Sequence, residues 1–349
     1  MSEGLSPNLQ HLEPSVTVAI SQEAKRRQAA GEDVIDLGAG EPDFPTPPIP
    51  ADAGIKAIRD GKTHYPANEG ILELRVAAAK HLSLLSGGRP VNADHFVVSN
   101  GSKQSLFNAC FSLFGPGDVV AIPAPAWVSY PQIVHLTRAR PVLVPGDPEW
   151  GLKVSVRELA RMLPAATGLL LCSPCNPTGS VYTHAELKAI EQWARERNVW
   201  VITDEIYRRI HYGTGPAPSF LDLPDELLAR VVVIYGVSKA YAMTGWRIGL
   251  ALAPAAVAKA MAALQSHTTT GANHIAQYAA AAALDDERVE QDVARMVAEF
   301  RRRRDIGVAL VPGAAFGDDR WVRLSYATAT PDITRALDRI VDFAKKLAD

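Results

Sequence analysis

Short apolar runs separated by segments of helix length constrain the fold of this chain more than any other feature. Seven runs are predicted as strands, at residues 96–98, 119–122, 140–144, 168–172, 199–202, 231–235 and 249–253. Helices are predicted near residues 53–59, 71–85, 103–113 and 156–162. This alternation predicts an α/β fold with a mostly parallel sheet covered by helices on both faces. In such sheets, ligands bind outside the carboxyl ends of the strands.

The composition indicates a globular protein with a small-molecule ligand. The chain has 349 residues, 47% hydrophobic and 21% charged, which allows one large domain and a smaller one. A formal net charge of -2 gives no electrostatic reason to expect nucleic acid or an acidic membrane as partner. The sequence has no run of 18 apolar residues, no signal-peptide layout and only three cysteines, so we expect a cytoplasmic protein.

The N-terminal region is predicted as an arm over residues 1–14, a helix that includes residues 18–27 and a short strand at residues 34–37. Residues 38–48 are rich in glycine and proline and are therefore predicted as a loop. Their Gly-x-Gly lacks the third glycine and the following helix of a dinucleotide-binding fingerprint.

Cys172 and Cys175 form a Cys-x-x-Cys motif. A redox or zinc site is a weak alternative here. No second cysteine pair completes a zinc site, and residues 176–179 form a turn where a redox motif would begin a helix. No metal is expected.

Polar or aromatic side chains follow five of the predicted strands. These stretches are residues 100–103, 125–127, 175–179, 204–207 and 238–239. Because the carboxyl ends of parallel strands share one edge of a sheet, we expect the five stretches to meet at one site.

The start of the helix predicted at residues 103–113 is a candidate phosphate site. The free backbone N–H groups of Gly101, Ser102 and Lys103 and the positive end of the helix dipole attract an anion. Arg247 offers a bidentate fork for the same anion. An N-cap role explains Ser102 equally well.

The other strand ends carry groups with two interpretations each. Asp204 follows an apolar strand and is either a cap or ion-pair residue, or the partner of a protonated ring nitrogen. Trp127 either packs in the core or stacks on a planar ligand. Asn176 and Tyr207 are either turn and packing residues or donors to a phenolate oxygen. Lys239 is either a snorkelling lysine or a nucleophile that loses its proton in a desolvated site.

Taken together, these groups match the parts of pyridoxal 5'-phosphate (PLP), and the motifs are similar to those of a known family. The chain resembles the fold-type I PLP enzymes, and among them the class I aminotransferases of the bacterial aspartate aminotransferase kind. The similar stretches are residues 37–44, 65, 68–70, 100–104, 125–131, 176–179, 204–207, 236–249 and 322–327, in that order.

The resemblance implies a large domain with a seven-stranded sheet in an α/β/α sandwich, joined to a smaller α/β domain. The N-terminal arm and the first part of the small domain would occupy residues 1–47. The large PLP-binding domain would occupy residues 48–285, and the rest of the small domain residues 286–349.

Roles for individual residues also come from the resemblance. Lys239, Asp204 and Tyr207 would be catalytic, with Lys239 forming the Schiff base and moving the proton. PLP would be bound by Gly101, Ser102, Lys103, Trp127, Asn176, Asp204, Tyr207, Ser238, Lys239 and Arg247, and by Tyr65 of the second subunit of a homodimer. The substrate would be bound by Gly40, Trp127, Asn176 and Arg323. From the residues alone, Arg323 lies between Val322 and Leu324 in a strand pattern, and a surface arginine is the ordinary alternative.

The implied activity is that of an aminotransferase. It would move an amino group from an L-amino acid to a 2-oxo acid, with 2-oxoglutarate as acceptor, by a ping-pong Schiff-base mechanism. A β-lyase or decarboxylase on the same fold, or a PLP-binding protein with impaired catalysis, remain alternatives.

The chain departs from the family after residues 301–305. Relatives continue through several strands of the small domain, whereas here Asp305 is followed almost at once by residues 306–308. Most of the C-terminal small-domain sheet is therefore predicted to be missing. If this segment is truly absent from the protein, we expect PLP binding to survive better than turnover. The arginines at residues 301–304 are predicted to form a solvated helix end.

The sequence leaves the amino donor open. Glu13 and Val16 in the N-terminal segment, and Phe111 in the helix after Lys103, supply no cation for a second substrate carboxylate. This lowers the expectation for aspartate or glutamate and keeps an aromatic or neutral amino acid open.

Overall fold

All seven predicted strands join one sheet in the computed structural model, which describes residues 6–9, 12–38, 40–163, 165–224, 228–306, 311–318, 320–323 and 325–348. The strands are β1 Phe96–Asn100, β2 Val119–Ala124, β3 Arg140–Pro145, β4 Gly168–Cys172, β5 Trp200–Asp204, β6 Val231–Gly236 and β7 Ile248–Leu252. Their order is β1-β7-β6-β5-β4-β2-β3, and β7 alone runs antiparallel to its neighbours. The predicted mostly parallel sheet is confirmed.

Helices cover both faces of this sheet. Those in the described residues are α1 Val16–Ala29, α2 Pro48–Arg59, α3 Leu72–Leu85, α4 Ser102–Leu113, α5 Ser129–Leu136, α6 Val156–Met162, α7 His184–Glu196, α8 Ala255–Ser266, α9 His274–Asp285, α10 Glu287–Ile306 and α11 Thr330–Ala348. Leu169 and Leu171 of β4 belong to the core under α3, α7 and α9, whereas Leu170 belongs to the core under α4, α5 and α8. Because side chains alternate along a strand, a strand buried on both faces is apolar throughout. The result is the predicted α/β/α sandwich.

The remaining elements form a smaller unit. It contains α1, α10, α11 and an antiparallel pair of short strands, β8 Val311–Pro312 and β9 Val322–Arg323. Gly307, Val308 and Leu324, which entered the sequence predictions, lie outside the described residues. A two-stranded sheet agrees with the expected reduced small domain. The domain boundaries at residues 47 and 285 stay a prediction.

Two local predictions are wrong. Residues 34–37 do not form a strand; instead Ile35 and Leu37 pack against α11 around Ala336. Their apolar alternation therefore reflects a segment covered on one side by a helix. The arginines at residues 301–304 are not all solvated either, since Arg303 is buried and pairs with Asp43 at 2.6 Å.

None of the helices that the structure describes has the length and apolar character required to cross a membrane.

Candidate active site

A cavity of about 520 Å³ lies at the carboxyl ends of the parallel strands. It brings together most of the sequence-predicted site residues, namely Gly40, Ser102, Lys103, Trp127, Asn176, Asp204, Tyr207, Ser238, Lys239, Arg247 and Arg323. A second cavity of about 440 Å³ shares Gly40, Asn176, Tyr207, Lys239 and Arg323 with the first. Gly101 and Tyr65 are the predicted site residues that do not line the main cavity.

Lys239 follows β6 and points its amine into this cavity. Its Nζ donates a hydrogen bond to the carbonyl oxygen of Gly40 at 2.7 Å. Burial lowers the pKa of Lys239 to about 8, against an opposing effect of the Glu41 carboxylate. A larger fraction of this amine is therefore neutral near physiological pH than of an ordinary lysine, which favours both nucleophilic attack and proton transfer.

Asp204 ends β5 and is almost completely buried. The Tyr130 hydroxyl donates to its Oδ2 at 2.8 Å, and the Ile206 amide donates to its Oδ1 at 3.2 Å. Burial raises the pKa of Asp204 to about 6 in spite of these two bonds. No ion pair to this carboxylate occurs within the described part of the chain, so a cationic ligand would meet an uncompensated anion.

The start of α4 and Arg247 form one positively polarised wall. Gly101 is the N-cap of α4 with φ of +82°, and a Cβ at this position would lie 2.3 Å from Nη2 of Arg247. Ser102 does not cap the helix; its hydroxyl donates instead to the carbonyl oxygen of Tyr235 at 3.1 Å. The N-cap alternative for Ser102 is thus excluded, and the wall depends on a glycine at position 101.

Lys103 and Trp127 face each other across the same wall. Nζ of Lys103 lies 4.7 Å from the centre of the Trp127 ring, and this ring meets Tyr130 edge-on at 5.3 Å. Burial, followed by repulsion from Arg247, lowers the pKa of Lys103. The contact between amine and ring face is the geometry of a cation–π pair.

Arg323 reaches the cavity from β9. Its Nη1 lies 3.5 Å from Oδ1 of Asn176, its Nη2 donates to the carbonyl oxygen of Gly38, and its guanidinium covers the ring of Phe316. Burial lowers the pKa of Arg323, and its Nε is buried without a hydrogen-bond partner in the described residues. Arg323 is therefore a buried cation in the cavity wall, not a surface arginine.

Sequence reasoning missed several residues of the cavity. Tyr130 belongs to a stretch that was recognised, but nothing in the sequence links its hydroxyl to Asp204. Thr17 and Lys25 of α1 also line the cavity, together with Glu41. An ordinary amphipathic helix gives no signal that one face points into a site.

Tyr65 stands apart from this group. Its side chain is 86% exposed and lies outside both cavities. Within a single chain, Tyr65 therefore has no access to a ligand in the site.

The two cysteines of the Cys-x-x-Cys motif are free thiols beside the site. Sγ of Cys172 lies 3.2 Å from the carbonyl oxygen of Pro174. In the described residues, no group of three or more His, Cys, Asp or Glu side chains is arranged to hold a metal ion.

Comparison with known proteins gives a consistent family match. The sequence model of the family "Aminotransferase class I and II" matches residues 32–306. A bifunctional aspartate aminotransferase and glutamate/aspartate-prephenate aminotransferase from Petunia hybrida is 39% identical over 96% of this chain and 82% of its own length. The aspartate aminotransferase of Geobacillus stearothermophilus is 36% identical over 99% of this chain and 100% of its own length.

Solved structures agree with this match. The aspartate aminotransferase from Thermus thermophilus with maleate superposes with a TM-score of 0.92 at 34% identity, covering 97% of this chain and 99% of that chain. The alignment with the Geobacillus enzyme runs over 394 positions, and this chain has 349 residues, so at least 45 aligned positions have no counterpart here.

Proposed function

The chain belongs to the class I and II aminotransferases, which use pyridoxal 5'-phosphate (PLP), and we propose that it moves the amino group of an L-amino acid to 2-oxoglutarate in a ping-pong reaction. The observation that carries this proposal is the meeting of Lys239, Asp204, Arg247 and Arg323 in one cavity. These four residues supply an amine of lowered pKa, a buried carboxylate and two guanidinium groups.

Three features of the site fit PLP. The buried Asp204 carboxylate has two hydrogen-bond donors but no ion-pair partner in the described chain, which suits a protonated ring nitrogen. Gly101 has no Cβ to collide with Arg247, so this guanidinium lies against the start of α4, which suits a phosphate at the start of a helix. The Arg323 guanidinium lines the cavity, and its Nη1 has a long contact of 3.5 Å with Oδ1 of Asn176, which suits a carboxylate.

We assign the cofactor-binding residues accordingly. Asp204 would face the ring nitrogen, Tyr207 and Asn176 the ring hydroxyl oxygen, and Trp127 the ring plane. The phosphate would be bound by Gly101, Ser102, Lys103, Ser238 and Arg247, and by Tyr65 of a second copy in a homodimer. Arg323, with Asn176 and the Gly40 backbone, would hold the α-carboxylate of the substrate.

The cofactor supplies a carbonyl that condenses with amines and a ring that withdraws electrons. Lys239 contributes the amine that holds the cofactor, and its neutral Nζ then moves the proton at the substrate α-carbon. Asp204 keeps the proton on the ring nitrogen, because its negative charge in a buried site favours the cation. Arg323 fixes the orientation of the α-carbon relative to Nζ.

Charge in the cavity supports a dicarboxylic substrate. The lining carries five basic side chains, Lys25, Lys103, Lys239, Arg247 and Arg323, against two acidic ones, Glu41 and Asp204. Four of these cations already have proposed roles at the cofactor or at the α-carboxylate, which leaves Lys25 of α1 for a further carboxylate. We therefore propose an acidic amino donor, although the sequence alone lowered the expectation for aspartate or glutamate and kept an aromatic or neutral donor open. The names of the relatives, which include aspartate and prephenate, agree with this choice.

A panel of amino donors tests the reaction. Without any 2-oxo acid, an acidic amino acid should convert the absorbance of the lysine-linked cofactor to that of the amine form, and added 2-oxoglutarate should restore it. Lys239→Ala should abolish the lysine-linked band. The matched control is Lys259→Ala on the exposed face of α8, which should keep it.

Other outcomes favour other functions. Release of ammonia together with an oxo acid would indicate a lyase, and loss of carbon dioxide a decarboxylase. Stable binding of PLP without conversion by any donor would indicate a binding protein with impaired catalysis. The cytoplasmic location stays a prediction.

A further inference from the structure

Helix α10 contacts each of the three loops that carry Gly40, Tyr207 and Lys239. The helix has 20 residues and is therefore about 30 Å long. Polar side chains near its two ends bond to these loops, and the Phe300 ring also packs edge-on against Phe44 at 5.4 Å. Neither Glu290 nor Arg303, which form the ion pairs with these loops, lines the main cavity.

Near its N-terminus, α10 joins two of the loops through one carboxylate. Glu290 forms an ion pair with Arg209, which lies two residues after Tyr207. The same carboxylate accepts a hydrogen bond from the Tyr241 hydroxyl at 3.5 Å, and Tyr241 lies two residues after Lys239.

A buried polar cluster fixes Tyr241 from the other side. Nε2 of His81 lies 3.2 Å from the Tyr241 hydroxyl and 3.1 Å from the Tyr235 hydroxyl. Burial, followed by repulsion from Arg209 and Arg208, lowers the pKa of His81 to about 3. His81 is therefore neutral at physiological pH, and the cluster connects α3 and β6 to the Lys239 loop without adding charge.

Near its C-terminus, α10 holds the third loop through Arg303. This buried guanidinium pairs with Asp43 at 2.6 Å and with Glu299 of its own helix at 2.8 Å. It also lies over the ring of Phe44 at 5.1 Å. Asp43 and Phe44 follow Gly40, whose carbonyl oxygen accepts the hydrogen bond from Lys239.

We propose that Glu290 and Arg303 are positioning residues, through which α10 holds the loops of Gly40, Tyr207 and Lys239 in one relative arrangement. The inference rests on the proposed roles of Lys239 and Tyr207. A rigid helix that contacts all three loops couples them, because displacement of one end of the helix moves the other.

The central test compares Glu290→Gln, Tyr241→Phe and the double variant with wild type. Loosening the Lys239 loop should lower kcat roughly tenfold to a hundredfold with a smaller change in KM, because small misplacements of reacting groups are costly. The absorbance of the lysine-linked cofactor should change with pH around a different midpoint as well. If Glu290 acts through Tyr241, the double variant should lose no more activity than the worse single variant.

Tyr182→Phe is the matched control. It removes a buried tyrosine hydroxyl that bonds the Val154 amide at 2.9 Å, away from α10. It should lower the Tm without moving the pH midpoint. At the other end, Arg303→Gln should reproduce the loss of kcat, and the charge-keeping Arg303→Lys should restore part of it.

A measurement without cofactor separates this inference from the proposed function. In the cofactor-free protein, Glu290→Gln should increase amide hydrogen exchange in residues 205–212 and 237–243. If wild type is active and neither kcat, the pH midpoint nor exchange changes in the variants, the inference is wrong. If Glu290→Gln does not fold, Tyr241→Phe alone decides, by the same readouts.

Discussion

Asp204 and Lys239 are both shifted toward their neutral forms by one cause, burial away from water. The pKa of the acid rises to about 6 and that of the base falls to about 8. A cationic ring nitrogen beside Asp204 would reverse the first shift, because an opposite charge favours the ionised carboxylate. The cofactor-free site therefore carries a cost in folding free energy that the bound cofactor removes.

We predict that Asp204→Asn stabilises the cofactor-free protein above pH 7. Burial raises the pKa of Asp204 from 3.8 to about 6, so below about pH 4 the carboxyl is protonated in both the folded and the unfolded chain. As the pH rises from about 4 to 6, the unfolded chain releases this proton first. Wild type then loses about 2–3 kcal/mol relative to the variant. Urea denaturation of both proteins between pH 4 and 8 measures the difference.

Asp222→Asn serves as the control for this experiment. Asp222 accepts a hydrogen bond from the buried Arg208 at 2.8 Å, so its loss leaves a buried cation without its anion. This variant should be less stable than wild type at pH 7, whereas Asp204→Asn should be more stable. A stability difference for Asp204→Asn that does not vary with pH would contradict burial as the origin of its pKa shift.

At the scale of elements, the junction of β1 with α4 depends on a single backbone conformation. Gly101 has φ of +82°, a backbone conformation that residues other than glycine rarely adopt. The missing Cβ also allows the Arg247 guanidinium to lie against the chain. Gly249 of β7 is equally constrained, since a Cβ there would lie 2.3 Å from the Ser102 amide nitrogen. Two glycines therefore bring β7, Arg247 and the start of α4 together.

Gly101→Ala should weaken cofactor binding more than it weakens the fold. The added Cβ displaces Arg247, so the equilibrium dissociation constant of PLP should rise by roughly tenfold or more, equivalent to about 1.4 kcal/mol. Fluorescence titration of the cofactor-free protein gives this constant. The control is Gly115→Ala, where no atom lies within 4 Å of the added Cβ. An unchanged constant in Gly101→Ala would contradict the assignment of this wall to phosphate.

Strands buried on both faces give the clearest signal in the sequence, although the mostly exposed or half-buried β3 was predicted as well. Strands β4 and β6 are apolar throughout because helices cover both faces of the sheet. Residues 34–37 were predicted as a strand because a segment packed on one side by α11 alternates in the same way. The alternation of apolar residues alone does not show whether a segment pairs with a neighbouring strand or packs against a helix.

The site shows the same limit. Lys239, Asp204 and the start of α4 follow apolar strands, so their positions could be inferred from the order of elements along the chain. Tyr130, Thr17 and Lys25 come to the cavity from helices whose orientation only the tertiary fold determines. The coupling of α10 to three loops is invisible in sequence for the same reason.

At the scale of the whole molecule, we propose that the shortening relative to relatives falls on the smaller unit. The seven-stranded sheet is complete, whereas the paired strands β8 and β9 have two residues each. Arg323 nevertheless reaches the cavity, since the carbonyl of Gly38 and the ring of Phe316 hold it. Contacts other than an extended small sheet therefore position this arginine.

Tyr65 provides a test of whether the protein forms a homodimer with a shared site, because it cannot reach the cavity of its own chain. Its side chain is 86% exposed and lies outside the cavity of its own chain. Tyr65→Ala should therefore leave cofactor affinity unchanged in a monomer. In a homodimer that brings Tyr65 to the partner's phosphate, the dissociation constant of PLP should rise roughly tenfold, the effect of losing one charge-assisted hydrogen bond. Sedimentation at the concentrations of the titration establishes the oligomeric state. As a control, Trp150→Ala, which removes another exposed ring, should not affect PLP binding. If wild type is a dimer and Tyr65→Ala leaves its affinity for PLP unchanged, the shared site is refuted.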